Sequence, residues 1–226
     1  LQCPPDLPED EDARTALLRS GEGPSAIRMN CSGKHASMLA TCVINGWDPA
    51  TYRDPDHPLQ RAIVATFTEY TGEPTEVAVD GCGAPLLSTS TRGLARAYGL
   101  VARGVDATGS THEPARRVAE AIRAFPLHVS GTQRDEAVLI RAVPGLIAKA
   151  GAEGCHAVAL PDGRAWALKI DDGAERARGP LMVAALERSG VADEPGVDRE
   201  ALRRSGAQVL LGGGVPVGEV RAVLPG

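Results

Sequence analysis

Apolar residues along the first two-thirds of the chain recur at helical spacing, and further on they switch to short runs with a period of two. After a Pro-rich, acidic stretch over 1–11, a short helix is predicted over 12–19, stopped by Gly21, Gly23 and Pro24. Met38, Leu39, Cys42 and Val43 share one face of a predicted helix over 35–45 that closes at Gly46. Asp54-Pro55-Asp56-His57-Pro58 reads as a turn and N-cap, and the helix after it runs to Tyr70 with proline in its first turn. Residues 76–80 predict a short buried strand, and 81–85 the irregular turn that follows it. Helices are expected over 91–102, 113–124 and 132–143, the last ended by Pro144-Gly145. The period then changes. Residues 146–148, 155–160 and 165–170 predict an antiparallel meander with Pro161-Asp162-Gly163-Arg164 as a hairpin turn. A helix over 174–188, a short one over 198–204 and a strand over 219–223 complete the pattern. Helices precede an antiparallel sheet, with no internal repeat and no βαβ alternation, so the fold class is α+β, a sheet with helices layered on it.

Length and composition narrow this picture. The 226 residues suffice for one large domain or two small ones. Aromatic residues are only 3%, so the core must be built from Ala, Leu and Val. A net charge of -5 and the lack of any basic run argue against a nucleic-acid partner. No apolar stretch reaches the roughly 20 residues that cross a bilayer, so no membrane is expected. The five cysteines, Cys3, Cys31, Cys42, Cys82 and Cys155, are odd in number and lack tandem spacing. They do not read as a disulfide framework, and a reducing cytoplasm is the expected setting. The chain opens on Leu1 with no signal-peptide pattern and reads as a piece of a longer polypeptide.

Candidate chemistry concentrates where the chain spends its lysines. Of 24 basic residues only Lys34, Lys149 and Lys169 are lysine. Arginine is always charged, whereas a lysine amine can be tuned. Lys34 lies in Cys31-Ser32-Gly33-Lys34-His35, and Asp80-Gly81-Cys82-Gly83 offers a second thiol. Cys31, Lys34 and Cys82, or else Cys31, His35 and Cys82, could supply sulfur and nitrogen to a tetrahedral zinc ion. Alternatively both cysteines are simply small buried hydrophobes. A phosphate-binding loop is excluded, because Arg28 and His35 stand where that motif needs Gly and Ser or Thr. Lys149, on the first strand of the meander, can aim its amine into a cleft beside Gly151, or can be an ordinary exposed strand lysine. Asp80 suits a ligand amine, or caps its turn. His57 and His128, in Pro-containing turns, read as structural, and the remaining charges as solvated helix faces.

Residues 25–40, containing Asn30-Cys31-Ser32-Gly33-Lys34-His35-Ala36, resemble a characteristic block of the rhizobial-type zinc-containing L-asparaginases, the asparaginase II family. Further similar motifs follow in order: Gly46-Trp47, Asp54-Pro55-Asp56-His57-Pro58, residues 79–85, Ser130-Gly131-Thr132 with Arg134, residues 148–154 and residues 167–173. The resemblance implies hydrolysis of the side-chain amide of L-asparagine to L-aspartate and ammonia by Ser/Lys chemistry. It also implies a fold similar to serine β-lactamases and glutaminases, and a homodimer. By motif, Lys149 matches a catalytic lysine, Cys31, Lys34 and Cys82 the ligands of a structural or substrate-tuning Zn2+, and His35 and Asp80 residues bordering the substrate.

The chain departs from the family in one region. The family's serines lie in an N-terminal segment without counterpart here, and Cys31, Leu146 and Trp166 stand three residues before the three lysines. At the start, Cys3-Pro4-Pro5-Asp6-Leu7-Pro8 replaces the family's Cys-Gly-x-His-x-Pro. The expectation is therefore roughly the C-terminal two-thirds of a single asparaginase domain, inactive alone, its nucleophile upstream. Two other readings are a non-catalytic zinc-stabilised fragment and a zinc-dependent hydrolase or deaminase using Cys31, His35 and Cys82. The last lacks a His-x-Glu motif.

Overall fold

The computed structural model describes residues 1–224 and divides into two compact units, Leu1–Ser90 and Thr91–Gly226. In the first, α1 (Glu11–Arg19), α2 (Ser32–Asn45) and α3 (Pro58–Thr71) precede a two-stranded ribbon of β1 (Val77–Val79) and β2 (Pro85–Leu87). Asp10 caps α1, its carboxylate accepting from Ala13 N at 3.0 Å. His57 caps α3 in the same way, Nδ1 accepting from Leu59 N at 3.1 Å, which is the structural role expected of it. Helix α2 starts earlier than its apolar stripe because Cys31 O already accepts from His35 N at 3.0 Å. That bond draws Ser32, Gly33 and Lys34 into the first turn. Cys3, Met38, Cys42, Tyr52, Leu59, Cys82 and Ala84 form the core of this unit.

The strand expected to be buried over 76–80 is shorter and all three of its residues are exposed. It pairs only with β2, Val79 opposite Pro85, and a two-stranded ribbon has too little surface to bury both its faces. Its use is local. The pairing fixes the two ends of the Asp80–Ala84 turn, with Asp80 N donating to Ala84 O at 2.9 Å and Gly83 N to Asp80 O at 2.8 Å.

The second unit begins with α4 (Thr91–Arg103), α5 (Glu113–Ala124), α6 (Pro126–Ser130) and α7 (Asp135–Ala142). The antiparallel sheet β3 (Ile147–Ala150), β4 (Cys155–Ala159) and β5 (Ala165–Lys169) follows in that order. Lys149 lies opposite Ala157, and Ala150 opposite His156. Helices α8 (Arg178–Arg188) and α9 (Arg199–Gly206) and a hairpin of β6 (Gln208–Gly212) and β7 (Val215–Val220) complete it. The core joins Leu139, Val143, Leu146, Ala148, Val158, Leu160, Met182, Leu186 and Leu202, so α7 and α8 cover the sheet and α9 packs on those two helices.

The meander stands where its period of two placed it. The helix expected over 132–143 is α7, which starts only at Asp135, and a short helix that was not expected, α6, precedes it across the 131–134 link. The last strand sits earlier than expected and pairs with β6, which its apolar and Gly-rich sequence did not reveal. Mixed helices and small antiparallel sheets make the fold α+β. Among the described residues no helix is long and apolar enough to cross a membrane.

Candidate functional site

In the first unit the start of α2 and the β1–β2 turn bring four chemically active side chains together. Lys34 Nζ donates to Asp80 Oδ2 at 2.6 Å, and the Cys82 thiol donates to the same oxygen at 3.2 Å. Asp80 Oδ1 accepts from Gly81 N at 2.8 Å, which orients the carboxylate. The sulfurs of Cys31 and Cys82 and a carboxylate oxygen of Asp80 all lie within 4.8 Å of one another. Cys82 is buried, Lys34 and Asp80 partly open. Gly83 holds the turn at φ +80°, where a Cβ would also collide with the Arg53 guanidinium.

Each ionisable group here is governed by the others. Burial works against the Lys34 charge, but its hydrogen bonds to Asp80 and Cys82 outweigh that and hold its pKa above the ordinary lysine value. Burial likewise opposes the Asp80 carboxylate, yet Lys34 and Cys82 together keep its pKa below the usual range. Burial raises the Cys31 thiol, against the pull of the Lys34 cation. The Lys34 ammonium is thus the cation that these donors now share.

Thiols, an amine and a carboxylate are donor types that zinc accepts, and bonds of about 2.0–2.3 Å would place tetrahedral donors roughly 3.3–3.8 Å apart. The two sulfurs and the Asp80 oxygen lie within 4.8 Å of one another. To bind such an ion, Cys31 and Cys82 would give up their thiol protons and Lys34 its ammonium proton. His35 stays outside the cluster. Its ring is fully buried, edge-on to Tyr52, with Nδ1 2.5 Å from the Tyr52 hydroxyl and Nε2 without a partner. Burial, with the Lys34 and Arg53 cations, keeps its pKa below the usual histidine range, so the ring is neutral at pH 7. The Cys31, His35 and Cys82 combination is therefore not assembled. Asp80, not His35, stands beside the two sulfurs, and its spacing of two from Cys82 was the available signal.

The second unit holds a separate group around Lys149. This lysine sits on β3 with its side chain half exposed. Nζ donates to Ala150 O at 2.5 Å and lies 3.7 Å from Glu136 Oε1. Glu136 is completely buried, and Oε1 accepts from Ala150 N at 3.1 Å. Beside it on α7, Asp135 receives the buried Arg178 in two contacts, Nε to Oδ2 at 2.7 Å and Nη2 to Oδ1 at 3.3 Å. Burial opposes the Asp135 charge, but the bond to Arg178 holds its pKa down. His156 on β4 is fully buried with neither ring nitrogen partnered. Burial pushes its pKa down to about 4, against the raising effect of Asp135 and Glu136.

Sequence reasoning placed the charges of 135, 136 and 178 on solvated helix faces, and the structure corrects this. Helix α7 packs its first turn inward against β3, so residues at a helix start are buried with their partners. Their place next to the Ser130-Gly131-Thr132 and Arg134 motif was the signal that could have found them. His128 lies edge-on to Phe125 at 5.8 Å between ring centres.

Compared with known proteins, the chain matches the family model described as L-asparaginase II over residues 1–222. No curated protein matches it.

Proposed function

The chain belongs to the L-asparaginase II family, and from that premise we propose that it serves hydrolysis of the side-chain amide of L-asparagine, giving L-aspartate and ammonia. The single observation that best supports a working site is the convergence of Cys31, Lys34, Asp80 and Cys82 from segments far apart in sequence.

In this reading the chemistry is of the Ser/Lys kind. A serine upstream of Leu1 attacks the amide carbon, fixed N–H donors hold the oxyanion, and Lys149 moves the proton. Asp80, oriented by Gly81 N, carries the negative charge that a substrate ammonium needs. His35, held neutral, has Nε2 as its one ring atom left for another partner. Cys31, Lys34 and Cys82 would hold Zn2+, with Asp80 beside it. Zinc there would tie the start of α2 to the β1–β2 turn and set the charge next to the substrate-bordering groups. The reading carries with it a β-lactamase-like fold and a cytoplasmic homodimer. A zinc-bound water acting through His35 gains no support, because that ring is engaged with Tyr52.

Ammonia release from L-asparagine, measured on the full-length natural protein and its Lys149→Ala variant, tests the proposal. Activity should fall at least a hundredfold in the variant, as when a catalytic group is removed. Undiminished release from Lys149→Ala would sink Lys149 as the catalytic lysine. Zinc binding without ammonia release would make the protein a zinc-stabilised module instead.

A further inference from the structure

Strand β3 pairs with β4 on one side only among the described residues. Gly151 N donates across to Cys155 O at 2.9 Å. Backbone groups alternate along a strand, so the N–H and C=O of Ala150 face the other way, toward the open edge. Open-edge groups are ordinarily left to water or to another chain. Here two side chains take them. Glu136 Oε1 accepts from Ala150 N, Lys149 Nζ donates to Ala150 O, and the two side chains are themselves 3.7 Å apart. Glu136 reaches this edge from the first turn of α7, where a fully buried carboxylate is costly unless it is paired. Its Oε2 has no hydrogen-bond partner, and Arg134 Nε lies 3.8 Å away. The expense of this carboxylate and its aim at one peptide and one amine point to a task beyond packing.

We propose that Glu136 is a positioning residue for Lys149, holding the amine at the open edge of β3 through an ion pair and through the Ala150 peptide that both side chains grip. The inference rests on Lys149 as the catalytic lysine and adds what sets its place. An ammonium held there is a proton donor. As the C–N bond of the tetrahedral intermediate breaks, its electron pair goes to nitrogen and the carbonyl re-forms. Lys149, having taken the serine's proton as the serine oxygen attacked, passes it to that nitrogen, which leaves as ammonia. The amine then takes a proton from the water that cleaves the acyl intermediate and returns it to the serine oxygen.

The chain's three lysines make the test direct. With limiting acetic anhydride, site-by-site acylation rates are read by mass spectrometry, Lys169 serving as the internal reference. Glu136→Gln keeps an acceptor for Ala150 N–H and removes only the charge. Lys149 should then acylate about three- to fivefold faster relative to Lys169, the scale of a half-exposed ion pair. The melting temperature and the Lys34 to Lys169 ratio should stay unchanged, which a merely structural role would not allow. An unchanged Lys149 to Lys169 ratio overturns the proposal. Should Glu136→Gln fail to fold, Glu136→Asp, with its carboxylate drawn back by one methylene, must show the same acceleration or the proposal falls. Labelling needs no turnover, so these outcomes are independent of the Lys149→Ala activity test.

Discussion

At the scale of single residues, the partly open Lys34–Asp80 pair fixes its own charges more than it stabilises the fold. Lys34→Met should cost no more than about 1 kcal/mol in urea unfolding, because solvent screens the pair. The same substitution, or Cys82→Ser, should weaken zinc binding measured by calorimetric titration at least tenfold, since each removes a donor. His35→Gln should leave that affinity nearly unchanged. His156 makes a different prediction. Its folded pKa of about 4 lies below the ordinary histidine value of 6.5. The unfolded chain therefore binds the extra proton first as pH falls. The stability from a neutral buried imidazole is full above about pH 6.5 and is lost progressively down to about pH 4. That loss is on the order of 3 kcal/mol. Urea titrations across this window should show it in the natural sequence, and His156→Leu should flatten it.

At the scale of elements, close backbone approaches decide as much as side chains do. Helix α4 crosses the β4–β5 hairpin at Gly99, where an added Cβ would stand 2.8 Å from Gly163 O. Alanine favours a helix over glycine by about 1 kcal/mol. The contact is with backbone, which cannot swing aside, so Gly99→Ala should still destabilise the protein by about 1–3 kcal/mol. A higher midpoint of chemical unfolding in Gly99→Ala would refute that packing. The β1–β2 ribbon shows the other side of element-level economy. It buries little, yet it positions Asp80 and Cys82 across from α2.

At the scale of the whole molecule, each unit carries its own core and its own charged group. The β6–β7 hairpin exposes Val209, Leu210, Leu211, Val215 and Val217, an apolar ribbon that packs little of itself. Such a surface favours association. Replacing Val215 and Val217 by threonine should raise the soluble yield of the 226-residue chain and leave its melting temperature within a few degrees, about the scatter of surface substitutions. Light scattering against concentration checks the first outcome and calorimetry the second.

Much was legible in the sequence because local rules govern it. The helical periods over α2 to α5, the proline and histidine opening α3, and the period-two meander of β3, β4 and β5 depend on residues a few positions apart. The short reach of Cys31 to Lys34 along one helical turn was also readable, as was Lys149 on a strand. Tertiary structure alone decided that Asp80 rather than His35 joins the two thiols. That choice depends on Tyr52 capturing the His35 ring and on a turn returning Asp80 from 46 positions beyond Lys34. It also decided that Glu136, Arg178 and His156 are buried. A charged residue is exposed or enclosed according to what packs against its element, and neither spacing nor composition encodes a partner that arrives from elsewhere in the chain.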